Sequence, residues 1–368
     1  MPTLDRYLAR EILLPFGAGL VFLTQVLLAS QLLAQSDVLL GSGVSAADVL
    51  AVALDLIPHF LGYVLPVSFL LGAVVGTARL AEDREIVALG AAGISPARLV
   101  RVPVALGVLV GLVALWIGLV LEPAGLRSAR LRVNDIIRKN VTSDVRAGVF
   151  FEDIPNLTVY AEQTRGGRWR HVLIADLTDP AAPLLTLAEA GRLEPAAERE
   201  GMRLVLDRGE VQREELTSDA YVTARYDHAT ITLGFGKTLS DRNRLVGSPF
   251  ELGPGDIVAR ARAARDEREA RSWWTFLFRR IAAPAAMLAF ALLAVPIAAS
   301  RRGGRAFGYA ATILAVVAYY AVLRFGEGLS RRGELPAWLG PNLANLIFAA
   351  AGVALVALMA RRGAGAVR

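Results

Sequence analysis

The 368-residue chain contains no cysteine. Disulfides, thiolate metal sites and cysteine nucleophiles are therefore outside its chemistry. Its three histidines are His59, His171 and His228, and no two stand at metal-ligand spacing. Of 40 basic residues only Lys139 and Lys237 are lysines. Charge itself is scarce: 20% of residues are charged and 54% apolar, with a mean hydropathy of +0.46. A soluble domain carries about 25% charged residues, so an ordinary soluble enzyme, a disordered chain and a collagen-like fibre are excluded. The deficit is local. Of 74 charged side chains (40 basic plus 34 acidic), 47 lie between Glu122 and Arg271. A polar block separates two apolar arms.

What the arms contain is long apolar runs. Ile12–Ser36, Leu56–Ala78, Val102–Leu121, Ile281–Ser300, Ala306–Leu323 and Leu335–Ala360 hold no charged side chain. A helix crossing a bilayer needs about 20 such residues, so six membrane spans are expected. The second begins before Asp55, near Asp48. Twelve arginines (6, 10, 79, 84, 98, 101, 301, 302, 305, 361, 362 and 368) flank one side of these spans. Only three, Arg324, Arg331 and Arg332, flank the other. Basic residues are retained inside, so both termini are expected in the cytoplasm and the polar block outside. A net charge of +6 spread over span ends is not the aromatic-interleaved basic face of a nucleic-acid binder. Small residues at Gly107, Gly111 and Ala114 would allow close helix packing, read here as the face for a second subunit.

Within the polar block, Val145–Phe235 reads as β. Period-2 segments recur at Leu157–Ala161, His171–Ala175, Leu184–Leu187, Arg203–Leu206, Tyr221–Tyr226 and Thr230–Leu233. Turn residues separate them, at Arg165-Gly166-Gly167-Arg168, Thr178-Asp179-Pro180, Arg208-Gly209 and Thr217-Ser218-Asp219. Many short strands at this spacing predict a sandwich or roll. Gly255–Ser272 reads as a charged helix leading into span four. The block carries no nucleotide motif: Phe235-Gly236-Lys237-Thr238 has Ile231 where a phosphate loop needs glycine. The expected fold class is a polytopic α-helical membrane protein of six spans with an inserted all-β, jellyroll-like domain. The divisions are 1–121 (spans one to three), 122–272 (β domain and linker helix) and 273–368 (spans four to six).

The connector between spans two and three is the most informative segment. Glu82, Asp83 and Glu85 favour the positive end of a helix, and Gly93 is a suitable residue to stop it. Ser95-Pro96 suits the start of span three. A helix over about 80–93 would place Glu82, Ile86, Leu89 and Gly93 on one face. Two readings follow: a connector resting on lipid headgroups, or a coupling helix inserted into a groove of a cytoplasmic partner, with Glu85 meeting a cation.

Several motifs, in order, carry a family resemblance. They are Tyr7-Leu8-Ala9-Arg10-Glu11, Leu65-Pro66-Val67-Ser68-Phe69-Leu70-Leu71-Gly72, Arg84-Glu85-Ile86, Ala92-Gly93-Ile94-Ser95, Gly304-Arg305 and Pro341-Asn342-Leu343. The chain resembles the LptF/LptG (YjgP/YjgQ) permeases of the bacterial lipopolysaccharide exporter, and looks more like LptF. The resemblance implies a non-catalytic half-transporter in the inner membrane, without a cofactor of its own. Its partners would be a homologous LptG-like permease, an LptB-like ATPase dimer that binds ATP, and LptC- and LptA-like jellyroll proteins that receive the lipopolysaccharide. It also implies that Glu82, Asp83, Glu85, Ile86, Leu89 and Gly93 form the ATPase-coupling segment. Family members often carry Lys or Arg at the outer end of span one. Here Gln31, Ala34 and Gln35 stand instead, and Gln31, Gln35 and Arg324 are the candidates for the lipid path.

Competing classes remain open on sequence. Asp55 and His59, four apart, could serve an intramembrane enzyme if a second acid stood at similar depth. Pro58 and Pro66 in span two, with Pro284 and Pro296 in span four, give a faint symmetry suited to a secondary transporter. A membrane-anchored scaffold is the third.

Overall fold

The computed structural model describes residues 2–34, 44–144, 147–154, 157–165, 168–177, 179, 183–195, 202–215, 220–233, 248–299 and 305–362. Among them six helices are long and apolar enough to cross a membrane: Thr3–Ala34, Ala46–Glu82, Ala97–Val133, Glu267–Ala298, Phe307–Arg332 and Leu339–Arg361. Each expected run falls on one of these. The chain divides into two compact units. One comprises Met1–Ala29, Leu56–Gly125 and Leu252–Arg368; the other comprises Ser30–Asp55 and Leu126–Glu251.

The first unit is helical. Its elements are α1 (Pro2–Ala34), α2 (Ala46–Glu82), α3 (Glu85–Ala91), α4 (Pro96–Trp116), α6 (Pro254–Arg262), α7 (Glu267–Ala298), α8 (Arg305–Arg332) and α9 (Leu339–Arg362). A π turn, Ile117–Leu121, joins α4 to α5 (Glu122–Asp144), so this helix continues past the apolar run through an acidic residue. The start of α2 follows its chemistry. Ser45 Oγ accepts from the Asp48 N–H at 3.2 Å, and Asp48 Oδ2 accepts from the Ser45 N–H at 3.2 Å, which closes the first turn reciprocally.

The helical unit is built around α2 and α7, whose apolar windows are 72% and 61% buried against 28% or less in the other four. Glycines set the closest approaches. A Cβ on Gly72 would stand 2.5 Å from Phe16 Cβ, and one on Gly76 would strike the Glu11 carbonyl. So α1 crosses α2 backbone to backbone, the packing small residues permit. Likewise a Cβ on Gly107 or Gly111 would stand 3.0 Å and 3.1 Å from the Met287 and Pro284 carbonyls of α7. This corrects the expectation for Gly107, Gly111 and Ala114. That face is occupied within the chain by α7 rather than left for a second subunit, because the two helices meet there.

The charged helix expected over Gly255–Ser272 is two elements. It breaks after Arg262 and restarts at Glu267, because the Asp266 carboxylate accepts from the Glu269 N–H at 2.7 Å and caps a new helix. Span four therefore begins inside the charged stretch, with Glu267 and Glu269 at its positive end.

The second unit carries six antiparallel strands: β1 (Phe150–Ile154), β2 (Leu157–Arg165), β3 (Arg168–Asp176), β4 (Leu184–Pro195), β5 (Met202–Glu215) and β6 (Ala220–Leu233). They pair in chain order as one sheet. The inserted all-β domain thus stands as expected, as a single meander among the described residues rather than two packed sheets. Its apolar face gathers Val159, Ala161, Trp169, Val172, Ile174, Leu204 and Leu206. The segments expected at Tyr221–Tyr226 and Thr230–Leu233 are one strand, β6.

The turn expected at Arg208-Gly209 lies inside β5, opposite Ala188 and Tyr226. Arg208 (φ 50°) and His171 (φ 49°) hold left-handed backbone. Around the row that contains them the burial alternation changes phase: Trp169 and Val172, three apart, both face the core. Gly209 is required at this kink. Tyr226 donates to the Leu187 carbonyl at 2.9 Å, and a Cβ on Gly209 would strike both groups. Burial of the Tyr226 phenol pushes its pKa up.

Candidate functional site

The connector between the second and third spans is a bend followed by a single short helix. Helix α2 runs through to Glu82. Arg84 then adopts left-handed backbone (φ 58°), and α3 begins at Glu85. This corrects the helix expected over about 80–93. Glu82 ends α2 and Asp83 lies in the bend, so neither shares a face with Leu89. An arginine in the left-handed region is uncommon, and nothing in the residue type announced the break. The C-terminal end matches the expectation. Gly93 takes φ 82°, its N–H donates to the Gly90 carbonyl at 3.0 Å, and the Ile94 N–H donates to the Leu89 carbonyl at 2.9 Å. These two bonds make a Schellman stop, with Leu89 and Ile94 as its apolar pair. Ser95, in extended backbone, precedes Pro96 at the start of α4.

Burial divides α3 differently from the sequence reading. Ile86 is buried and Leu89 half-buried, both against the core of the helical unit. These two residues seat the helix. The face left open is Val87, Ala88 and Ala91, with Val87 65% exposed. An apolar ridge flanked by a carboxylate is present, one residue round from where the spacing put it.

The start of α1 ties this connector down. Tyr7 Oη donates to Glu85, standing 3.0 Å from each carboxylate oxygen. Arg79, in the last turn of α2, donates to Glu11 at 2.9 Å. Arg98, at the start of α4, donates to Asp5 at 2.6 Å. Leu8 and Ile12, one helical turn apart on α1, are buried beneath them. Three polar contacts from one helix thus reach the end of α2, α3 and the start of α4. The Tyr7-Leu8-Ala9-Arg10-Glu11 motif was legible, but its contact with Glu85 was not, since the two are 78 residues apart.

A second polar cluster lies inside the helical unit. His59 Nδ1 stands 2.7 Å from Glu122 Oε1, and both residues are buried. Sequence reading found no second acid to set beside Asp55 and His59. The π turn before Glu122 carries the helix on, and Glu122 meets His59. Asp55 instead accepts from Arg132 at 2.7 Å. Nearby, Arg279 pairs with Glu327 at 3.2 Å and donates to Tyr63 Oη at 3.3 Å. Arg324, a lipid-path candidate, donates to the same Glu327 at 3.2 Å. Arg280 donates to the Leu252 carbonyl at 2.6 Å. Of the other two candidates, Gln31 sits in the last turn of α1 and Gln35 lies outside the described residues.

On the sheet, a groove of 820 Å³ is lined by residues including Tyr160, His171, Leu187, Arg208 and Arg225. Across strands His171 Nδ1 stands 2.7 Å from Glu162, and Arg208 pairs with Glu189 at 3.1 Å. Polar and ionic contacts of this kind on a solvated sheet are an ordinary stabilising pattern.

No curated protein matches the chain. Among protein families, residues 6–358 match the one described as lipopolysaccharide export system permease LptF/LptG. That span runs from the first turns of α1 to near the end of α9 and takes in the inserted sheet and the α3 connector. The match spans nearly the whole chain, which therefore belongs to the LptF/LptG family of lipopolysaccharide export permeases.

Proposed function

We propose that this chain is the LptF-like half of a lipopolysaccharide exporter, driven through α3 by an ATPase that it binds. The observation that carries the proposal is the geometry of α3. Ile86 and Leu89 seat it, the Gly93 stop ends it, and Glu85 beside exposed Val87, Ala88 and Ala91 offers one charge on an apolar ridge. A short amphipathic helix laid into a groove is a recurrent docking mode. On this reading Ile86, Leu89 and Gly93 fix the helix, Glu85 meets a cation of an LptB-like ATPase dimer, and Glu82 and Asp83 add negative field at the rim. ATP binding and hydrolysis belong to that partner.

The twelve-to-three arginine asymmetry supports a cytoplasmic connector and termini, with the sheet in the periplasm. An LptG-like permease would complete the lipid cavity, since α1 and α8 present exposed apolar rows including Phe22, Val26, Ile313, Leu314 and Val317. Lipopolysaccharide would pass by way of Gln31, Gln35 and Arg324 and be handed to LptC- and LptA-like jellyroll proteins.

The buried His59–Glu122 pair supplies the second acid that an intramembrane enzyme would need, which keeps that reading as the alternative. One experiment separates them, and a second tests the orientation. Purification from the native membrane should bring down a second permease and an ATPase, and the reconstituted complex should release lipopolysaccharide only with ATP. A chain that purifies alone and acts on lipid without ATP would overturn the exporter reading. A cysteine placed at exposed Thr223 should react with an impermeant thiol reagent once the outer membrane alone is opened. The native chain contributes no thiol background. Labelling only after the inner membrane is breached would reverse the orientation.

A further inference from the structure

We propose that Tyr7 is a positioning residue for Glu85, holding the docking carboxylate in place before the ATPase arrives. The proposal rests on reading α3 as the docking helix and adds to it the group that prepares its charge. One phenol hydrogen is shared between two oxygens, each 3.0 Å away. A carboxylate has about four lone-pair sites, so the outward ones stay available to a cation of the partner. A free glutamate side chain gives up rotamer freedom when it docks. One already held by a hydrogen bond does not lose that freedom at the interface, and preorganisation of this kind raises affinity.

Tyr7 is itself fixed. Its neighbour Leu8 and Ile12 beyond are almost wholly buried. Asp5–Arg98 and Glu11–Arg79 lie on either side of it in the chain. The Glu11 carbonyl rests directly on Gly76, so α1 and α2 are in backbone contact beside it. The ring is 38% exposed, so loss of its hydroxyl leaves the packing intact. The same contacts give the docking helix a direct connection to the first span. A displacement of α3 reaches α1 through Tyr7, and reaches it again through Arg79 and Arg98 at the two ends of the connector.

The test is a double-mutant cycle on the full chain in lipid nanodiscs, with the purified ATPase that co-purifies with it as the probe. Dissociation constants are measured for the native chain, Tyr7→Phe, Glu85→Ala and the double variant, with Glu85→Lys alongside. Tyr7→Phe should weaken ATPase binding up to about tenfold when Glu85 is present, the scale of the ordering cost of one side chain at an interface. It should change binding less than about twofold when Glu85 is alanine. A merely structural tie would move both backgrounds equally. If Glu85→Lys weakens binding while Tyr7→Phe has no effect, or the same effect in both backgrounds, the positioning role is overturned and the docking helix stands. If Glu85→Lys binds like the native chain, the docking reading falls and the role of Tyr7 with it.

Discussion

Two ionic clusters sit about 30 Å apart along α2, since Arg79 and His59 are twenty residues apart at about 1.5 Å rise per residue. They are made of similar residues and work under opposite conditions. Around the connector, Arg79 is 50% exposed and joins Glu11 across a wet surface. Inside the bundle, His59, Glu122 and Glu327 are almost wholly buried. An exposed pair is weak but leaves its charges accessible. A buried pair offers no free charge, and breaking it strands a partner in low dielectric. The comparison separates a cluster whose charges stay accessible from one whose charges are locked inside the bundle.

The largest expected effect comes from breaking a buried ion pair. Glu327→Ala removes the buried carboxylate that both Arg279, 14% exposed, and Arg324 meet. Removing one partner of a buried pair costs about 3–5 kcal/mol, so the thermal midpoint in detergent should fall sharply. A midpoint within a degree of the native one would put this cluster on a par with the connector and dissolve the contrast.

The His59–Glu122 pair sharpens the comparison. His59→Leu alone leaves the Glu122 carboxylate buried without its 2.7 Å partner. It should cost about 1–3 kcal/mol. Replacing both residues by leucine removes the stranded group, so the double variant should be more stable than Glu122-containing His59→Leu. A double variant less stable than either single one would show the pair to be worth more than its desolvation. The same pair of variants bears on the enzyme alternative, since lipid export should survive the double replacement if the pair is structural.

How far each cluster was legible follows from the same contrast. The six apolar runs announced the spans because bilayer length is a one-dimensional constraint. Strand positions in β2 to β6 were legible from alternation, and the Gly93 stop from one residue type with one backbone preference. The bend at Arg84 was not, because it places an arginine where glycine or asparagine is the usual sign. Arg208-Gly209 misled for the converse reason: a turn pair sits in mid-strand, where the row of His171 and Arg208 reverses the alternation. The pairs themselves escaped reading altogether. Tyr7 with Glu85, His59 with Glu122 and Arg279 with Glu327 join residues on different helices, and contacts between helices leave no periodicity in one sequence.

On the exposed side effects should be small for stability. Arg79→Ala removes the contact with Glu11 and should cost only about 0.2–1 kcal/mol, a difference that shrinks in high salt. Unfolding measured at low and high ionic strength reads it. A salt-independent loss of several kcal/mol would place Arg79 with the interior cluster instead.

On the proposed function, the short connector helix receives the force of ATP hydrolysis. Co-purification of the ATPase with three variants tests it most directly. Glu85→Lys sets two like charges together and should lose the ATPase, with partial recovery when the partner's cation is made acidic. Val87→Asp, on the 65% exposed position, should also lose it, without such rescue and without change in thermal midpoint. Leu89→Asp is the contrast, because half-buried Leu89 seats the helix on the bundle and should lower the midpoint as well as the binding. Native levels of ATPase bound to both Glu85→Lys and Val87→Asp would contradict the account and leave α3 as a connector resting on lipid.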